Sequence, residues 1–190
     1  LVSRTSAMIL KYFDGKLPPL GRLEEPDEHL RELVLALPAE TEKQMDQLQF
    51  SQALVEIWRV IGECNRYIDI TQPWVLGKDE SRKERLGTVM YMLAESLRFV
   101  AVLLYPFMPS TPDKIYEQIG AWDKDLRTWD SLKAFGGLKA GDAINRGNAL
   151  FPRLDMKVEL EALSSENMPQ KEEKKAEEKT AREVAKTADS

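Results

Sequence analysis

The chain has 190 residues, 43% of them hydrophobic and 31% charged, which is enough for one well-buried core and little more. Its net charge of −5 at pH 7 argues against a broad basic surface for DNA but is compatible with a small local contact to RNA. No segment approaches the roughly 20 apolar residues of a membrane span, and no signal-peptide layout is present, so we expect a soluble protein with no membrane partner.

Helical patterns alternate with proline and glycine breakers over the first 120 residues. The first helix is already under way at Leu1 and ends near Phe13, without an initiating methionine or an N-cap before it. This start predicts a fragment of a longer protein. A proline-fixed loop to about Asp27 follows, and then a helix from Glu28 to about Leu48 in which Pro38 predicts a kink or a short break.

The third helix, from Phe50 to about Ile70, carries the clearest apolar period. Residues at three- and four-residue spacing predict one buried stripe: Phe50, Leu54, Ile57, Trp58, Ile61, Cys64 and Ile68. Pro73 ends this helix because it has no N–H and biases Gln72 away from helical dihedral angles. The indole of Trp74 is therefore predicted to lie at a corner on the domain surface.

A second long helix with an unbroken apolar face is predicted from Leu86 to Leu104, ending before Pro106. Thr111 and Pro112 then read as the N-cap and first position of a short helix to Ile119, for which Gly120 is a suitable C-terminal cap. The fold class predicted from these elements is an all-α bundle of about five helices over residues 1–120.

Periodicity disappears after Gly120. Trp122, Trp129 and Phe135 are spread among glycines, which predicts an extended arm over residues 121–161 that packs back on the bundle or on a neighbouring domain. From residue 162 to 190 the composition is dominated by Lys, Glu and Ala, and such a segment buries too little apolar surface to offset its ordering entropy. We expect it to be a disordered, charged linker.

The inventory of catalytic groups is small. The only histidine, His29, lies in a polar helix start and is expected to be a solvated surface residue. Aspartates and glutamates are expected on solvent faces, and Gly136-Gly137 does not form a phosphate-binding signature. The single cysteine, Cys64, excludes an intramolecular disulfide, disfavours a metal site and fits a reducing, cytoplasmic compartment. We therefore expect no catalytic residue, no metal and no cofactor in this chain.

Binding chemistry is better represented, although each residue has a structural alternative. Trp74 either stacks on an unpaired nucleobase or fills the gap between two helices. Arg4 either binds a base edge or phosphate with its planar guanidinium or forms a surface salt bridge. Arg66, near the end of the long helix, is interpreted as structural, and Tyr67 as a core residue with a hydrogen-bonded hydroxyl.

These residues resemble the anticodon-binding domain of methionyl-tRNA synthetase, over roughly residues 1–155. The matching stretches, in the family's order, are Ser3-Arg4-Thr5, Tyr12 to Pro18, Ala53-Leu54, Ile57-Trp58, Asn65 to Asp69, Gln72 to Leu76, Leu97-Arg98, Leu103-Leu104, Pro106 to Pro109, Thr111, Ile115, Gln118 to Gly120 and Leu150 to Arg153. Related domains of the valyl, leucyl, isoleucyl and cysteinyl enzymes share the helical plan but match the Pro-Trp corner less closely.

The resemblance implies a helix bundle that reads the CAU anticodon of methionine tRNA. By position, Trp74 matches the family's stacking platform for the first anticodon base, a cytosine, with Pro73 fixing it, and Arg4 matches the arginine that contacts that base. The family usually has an asparagine four residues before this arginine, which would precede Leu1.

The resemblance also implies partners outside the chain. The catalytic domain, which uses ATP and Mg, would lie upstream in the same polypeptide, and some bacterial members carry a further tRNA-binding, dimer-forming domain downstream. Two alternatives stay open: the corresponding domain of a sister synthetase, and a helical protein-interaction module with no RNA role.

Overall fold

The computed structural model describes residues 1–152 and 154–166, and within them the protein is helical. The α-helices are α1 (Val2–Phe13), α2 (Glu25–Asp46), α3 (Phe50–Thr71), α4 (Pro73–Leu76), α5 (Lys83–Leu104), α6 (Pro112–Ile119) and α7 (Met156–Glu166). Three short 3-10 helices span Glu80–Arg82, Lys124–Arg127 and Trp129–Lys133. The all-α prediction is confirmed, and the five helices of eight or more residues before residue 120 match the expected bundle. The linker expected after residue 166 lies outside the described residues.

Two compact units divide the chain, Leu1–Leu150 and a second that begins at Phe151. In the first unit, α5 is the central helix, and every residue from Leu86 to Leu104 is buried. By length and apolar composition the segment Glu80–Leu104 would suffice for a membrane span, contrary to the expectation that no segment is apolar enough. The whole of its apolar window is buried inside the bundle, as expected for the core helix of a globular domain.

Helix α3 follows its predicted boundaries but buries a different set of side chains from the one expected. The core side consists of Ala53, Ile57, Val60, Cys64, Tyr67 and Ile68. Phe50 and Trp58, predicted to be buried, are each 50% exposed. Trp58 follows the core residue Ile57 by one position, which is about 100° around the helix, and Phe50 is the first residue of α3, where the core stripe ends.

Helix α2 continues through Pro38 as a single element and starts three residues earlier than expected, at Glu25. Its first turn explains the earlier start. The Glu24 backbone N–H donates to Asp27 Oδ2 at 2.7 Å, and Glu24 and Asp27 form a reciprocal capping box with Pro26 in the first turn. The pattern of apolar residues alone could not reveal this polar cap.

The arm after Gly120 is held by two buried charges on α5. Glu95 and Arg98 have fully buried side chains and pair at 2.7 Å. Glu95 also accepts hydrogen bonds from three successive backbone N–H groups, those of residues 136, 137 and 138, at 2.9–3.2 Å. Gly136 has φ 99°, a value that favours glycine and lets these N–H groups converge. The backbone N–H groups of Gly136 and Gly137 thus bind the carboxylate of Glu95, a residue of the same chain.

Arg98 completes the attachment of the arm by donating to the carbonyl of Leu126 at 2.9 Å and to the Ser131 hydroxyl at 2.7 Å. The expectation that acidic residues lie on solvent faces is therefore wrong for Glu95. Further along, the arm returns to the start of the bundle, where Lys16 and Ala143 form an isolated antiparallel bridge and the indole N–H of Trp122 donates to the Ala143 carbonyl at 2.6 Å.

The second unit contains a helix, α7, where extended chain was predicted as far as residue 161. Its residues are mostly strong helix formers, Met, Lys, Glu, Leu and Ala. Asp155 supplies a start signal, because its carboxylate accepts the Lys157 N–H at 2.9 Å. Helix propensity and this cap therefore favour α7, although its apolar residues do not form a regular face.

The buried thiol of Cys64 predicts how stability responds to alkaline pH. Burial raises the pKa of Cys64 from its ordinary 9.0 to about 12. Above pH 9 the unfolded chain loses this proton while the folded chain keeps it, so the free energy of unfolding should fall by about 1.4 kcal/mol per pH unit from this group. Burial also raises the pKa of Tyr91, which adds to the slope.

The measurement is urea unfolding of the wild type and of Cys64→Ala between pH 8 and pH 11. We expect the difference in the free energy of unfolding between the two proteins to be constant below pH 9 and to shrink above it. Parallel curves over the whole range would contradict the assignment to Cys64.

Candidate nucleic-acid interface

A sharp corner joins α3 to α4 and presents Trp74. Gln72 adopts a left-handed conformation with φ 45°, outside the α-helical region as predicted from Pro73, and its N–H donates to the Ile68 carbonyl at 3.0 Å. The hydroxyl of Thr71 donates to the Tyr67 carbonyl at 2.7 Å, and the Gly77 N–H donates to the Pro73 carbonyl at 2.9 Å. Backbone and side-chain hydrogen bonds therefore hold both sides of the corner.

The two faces of the one-turn helix α4 differ in exposure. Pro73 and Leu76 are buried, whereas Trp74 is 45% exposed. The indole N–H of Trp74 donates to no other group in the described part of the chain. A half-exposed indole with a free N–H, held on a buried proline, is suited to stacking on a planar ligand.

A buried ionic cluster beneath the corner joins α2, α3 and α5. Asp27 has no exposed surface, and its carboxylate accepts two hydrogen bonds from Arg85, at 2.6 and 3.0 Å. The Tyr67 hydroxyl donates to the same carboxylate, which confirms the expected hydrogen-bonded core tyrosine. Desolvation and the neighbouring Asp27 raise the pKa of Tyr67, so its hydroxyl stays protonated and available as a donor.

This cluster was missed by sequence reasoning, which placed Asp27 in a loop and all carboxylates on solvent faces. The prediction is wrong for Asp27 because its partners Tyr67 and Arg85 lie 40 and 58 residues away along the chain. A local signal existed only in the Glu24–Asp27 capping box, which indicates an ordered helix start but does not reveal burial.

Arg4 lies on the exposed side of α1, and no carboxylate within the described residues pairs with it. Its surface salt-bridge alternative therefore finds no partner here. Lys11 lies seven residues on, on the same helix face and about 10 Å along the axis. At that end of α1, Tyr12 packs so closely on Gly77 that a Cβ at Gly77 would overlap the tyrosine ring. Helix α1 and the corner segment thus meet at Tyr12 and Gly77, with Arg4 about two turns away.

The other residues singled out in the sequence have structural surroundings. Arg66 forms an exposed ion pair with Glu63 at 3.6 Å, in agreement with its structural interpretation, and His29 is exposed as expected. Within residues 1–152 and 154–166, no group of three or more His, Cys, Asp or Glu side chains is arranged to hold a metal ion.

Residues 17–181 match a family model described as the anticodon binding domain of methionyl tRNA ligase. The methionine–tRNA ligase of Caldanaerobacter subterraneus subsp. tengcongensis is 54% identical over 180 residues, covering 95% of this chain and 26% of the relative. The Bacillus subtilis ligase is 45% identical over 182 residues, covering 94% and 27%.

Solved structures give the same relationship. Free Mycobacterium tuberculosis methionyl-tRNA synthetase superposes with a TM-score of 0.75 at 29% identity, over 81% of this chain and 31% of that protein. A crystal structure of the same enzyme bound by methionyl-adenylate gives a TM-score of 0.74. The chain spans about a quarter of the length of the curated relatives it matches.

Proposed function

This chain belongs to the family of methionyl-tRNA ligase anticodon-binding domains, and we propose that it reads the CAU anticodon of methionine tRNA. The observation that carries the proposal is the exposed indole of Trp74 on a corner held by hydrogen bonds on both sides. Unpaired anticodon bases are recognised by stacking and by hydrogen bonds to their edges, which needs one fixed aromatic ring and one or two polar groups.

In this proposal the first anticodon base, a cytosine, stacks on Trp74. Pro73 fixes the start of α4 and so the position of the indole. Arg4, unpaired within the described chain, supplies donors for the base edge or an adjoining phosphate. The acidic net charge is compatible with this mode, because binding depends on a few local contacts and not on a basic surface.

The aminoacylation activity is proposed for the whole ligase, of which this chain would be one part. The chain would direct tRNA(Met) to a catalytic domain of the same polypeptide, which joins methionine to the tRNA with ATP and Mg²⁺, in the cytoplasm. We assign ATP and Mg²⁺ to the catalytic part of the ligase, by relation to the methionine–tRNA ligases that this chain matches. A downstream tRNA-binding or dimerisation domain is a further partner on this view.

The test is binding of the chain to a stem-loop carrying a CAU anticodon. Trp74→Ala should weaken binding by about 1–3 kcal/mol, the contribution of one stacked base, and leave the helical circular-dichroism signal unchanged. The matched control is Trp129→Ala, because Trp129 is similarly exposed, at 41%, but lies on the arm. Equal affinities of wild type and Trp74→Ala would contradict the anticodon proposal.

Base specificity separates the methionine enzyme from a sister synthetase. Changing the first anticodon base of the stem-loop from cytosine to uracil should weaken binding by the wild type. The same change should have much less effect on Arg4→Ala, in which the donors proposed for the base edge are already lost. Indifference of the wild type to this base would contradict CAU recognition.

A further inference from the structure

The segment that carries Trp74 meets α1 at the aromatic ring of Tyr12. A Cβ at Gly77 would overlap three atoms of that ring. Gly77 has φ −71°, a value that any residue can adopt, so an unusual backbone conformation does not explain the glycine. The close approach of the ring does explain it. Tyr12 and Gly77 therefore form a complementary pair, in which a large side chain fits against a residue that has none.

Gly77 is tied to α4 by hydrogen bonds, so its position determines that of the indole. Its N–H donates to the Pro73 carbonyl at 2.9 Å, and the Lys78 N–H donates to the Val75 carbonyl at 3.1 Å. Trp74 lies in the same helical turn. A displacement of Gly77 relative to α1 would therefore displace Trp74 as well.

The surroundings of Tyr12 make its ring the main link between α1 and α4. Both helices pack against α5. Beside the ring is a surface cavity of about 240 Å³, whose walls include Gly77 and Lys83, so few protein atoms could hold α4 against α1 if the ring were removed. On its own helix, the ring is contacted by the Lys11 ammonium, 4.9 Å from the ring centroid.

We propose that Tyr12 is a positioning residue for anticodon recognition, because its contact with Gly77 sets the distance between the Trp74 indole and the Arg4 guanidinium. Arg4 lies eight residues before Tyr12, about 12 Å along α1. A nucleotide stacked on Trp74 can reach Arg4 only at a particular separation of α1 and α4. The inference deepens the proposed function and rests on it for the roles of Arg4 and Trp74.

Fluorine NMR of the chain labelled with 5-fluorotryptophan tests the contact without RNA. Tyr12→Ala should shift or broaden the Trp74 resonance, which is identified by its absence from Trp74→Ala, and should leave the resonance of Trp129 on the arm unchanged. Tyr12→Phe should give the wild-type spectrum, because it keeps the ring and the Tyr12 hydroxyl has no hydrogen-bond partner among the described residues. An unaltered Trp74 resonance in Tyr12→Ala would overturn the proposal.

Phe13→Ala is the matched control. Phe13 is the next residue of α1 and is also aromatic and partly buried, but its ring lies beside α5, where a Cβ at Gly87 would be 3.7 Å from it. We expect Phe13→Ala to lower the denaturation midpoint and to leave the Trp74 resonance in place. The same shift in both variants would indicate a general loosening of the fold and would also overturn the proposal.

The consequence for recognition is measured with stem-loops that carry a CAU or a UAU anticodon. Tyr12→Ala should lower the preference for cytosine over uracil by about three- to tenfold, as expected for a modest coupling between contacting groups. Phe13→Ala should keep the wild-type preference, since partial unfolding weakens binding to both stem-loops equally. An unchanged preference in Tyr12→Ala would contradict the positioning role. Absence of stem-loop binding by the wild type would instead contradict the proposed function, and the NMR spectra would still decide whether Tyr12 holds the corner.

The other member of the pair gives an independent test. Gly77→Ala places a methyl group against the ring and should shift the Trp74 resonance. In the Tyr12→Ala background the ring is gone, so Gly77→Ala should cause no further shift. Additive shifts in the double variant would show that Gly77 acts independently of Tyr12, and the proposal would be wrong.

Discussion

Replacing Glu95 with alanine is expected to lower the free energy of unfolding by about 3–5 kcal/mol, because it leaves the fully buried guanidinium of Arg98 without its counter-charge. The same substitution removes the acceptor of three backbone N–H groups in the arm. Since domains of this size are stable by only about 5–15 kcal/mol, the loss should be evident as a large decrease in the denaturation midpoint.

An exposed pair with the same spacing provides the control. Asp130 and Lys133 are also three residues apart and pair at 2.6 Å, but both side chains are about 80% exposed. Asp130→Ala should leave the midpoint of urea unfolding essentially unchanged, because water replaces the lost partner. Similar midpoints for Glu95→Ala and Asp130→Ala would show that the buried pair does not hold the arm.

Arg85→Met is expected to cost a similar amount, about 3–5 kcal/mol, because Asp27 would remain buried without its cation. Unlike the Glu95 variant, it should also weaken CAU stem-loop binding. Tyr67 links Asp27 to the last turn of α3, and its carbonyl accepts the Thr71 hydroxyl immediately before the Pro-Trp corner. Loss of the cluster should therefore loosen the last turn of α3 and, with it, the corner that holds Trp74.

A double variant separates the charge from the packing. Asp27→Asn combined with Arg85→Met removes both charges, so it should be more stable than Arg85→Met alone. Arg59→Met serves as the surface control, since Arg59 pairs with Glu56 at 3.0 Å on an exposed part of α3. If Arg85→Met matched Arg59→Met in both stability and stem-loop affinity, the cluster would have no role in supporting the corner.

The boundaries of α3 and α5 could be predicted from sequence because prolines and polar breakers act locally on the backbone. Phe50 and Trp58 were predicted to be buried because both are apolar at helical spacing, and spacing alone does not distinguish the core from an exposed apolar surface. The burial of Asp27 and Glu95 could not be predicted, since the groups that bind them from other elements lie 40 to 58 residues away along the chain.

The residues of the candidate site also differ in whether the sequence could predict them. Trp74 was located by a local feature, the proline that ends α3, and its exposure agrees with that prediction. The roles of Trp74, Pro73 and Arg4 rest on resemblance and remain proposals. Arg85 carries no such signal in the sequence, because its contribution depends on how three helices come together in space.

The cradle around Glu95 also has a consequence for the order of events during synthesis. The N–H groups that bind Glu95 follow it by 41 to 43 residues. At about 5–20 residues per second, the ribosome adds Glu95 roughly 2 to 9 s before it adds residues 136–138. During that interval Glu95 has Arg98 beside it but lacks the three backbone N–H donors of the arm. The bundle therefore reaches its final packing only after the arm has left the ribosome.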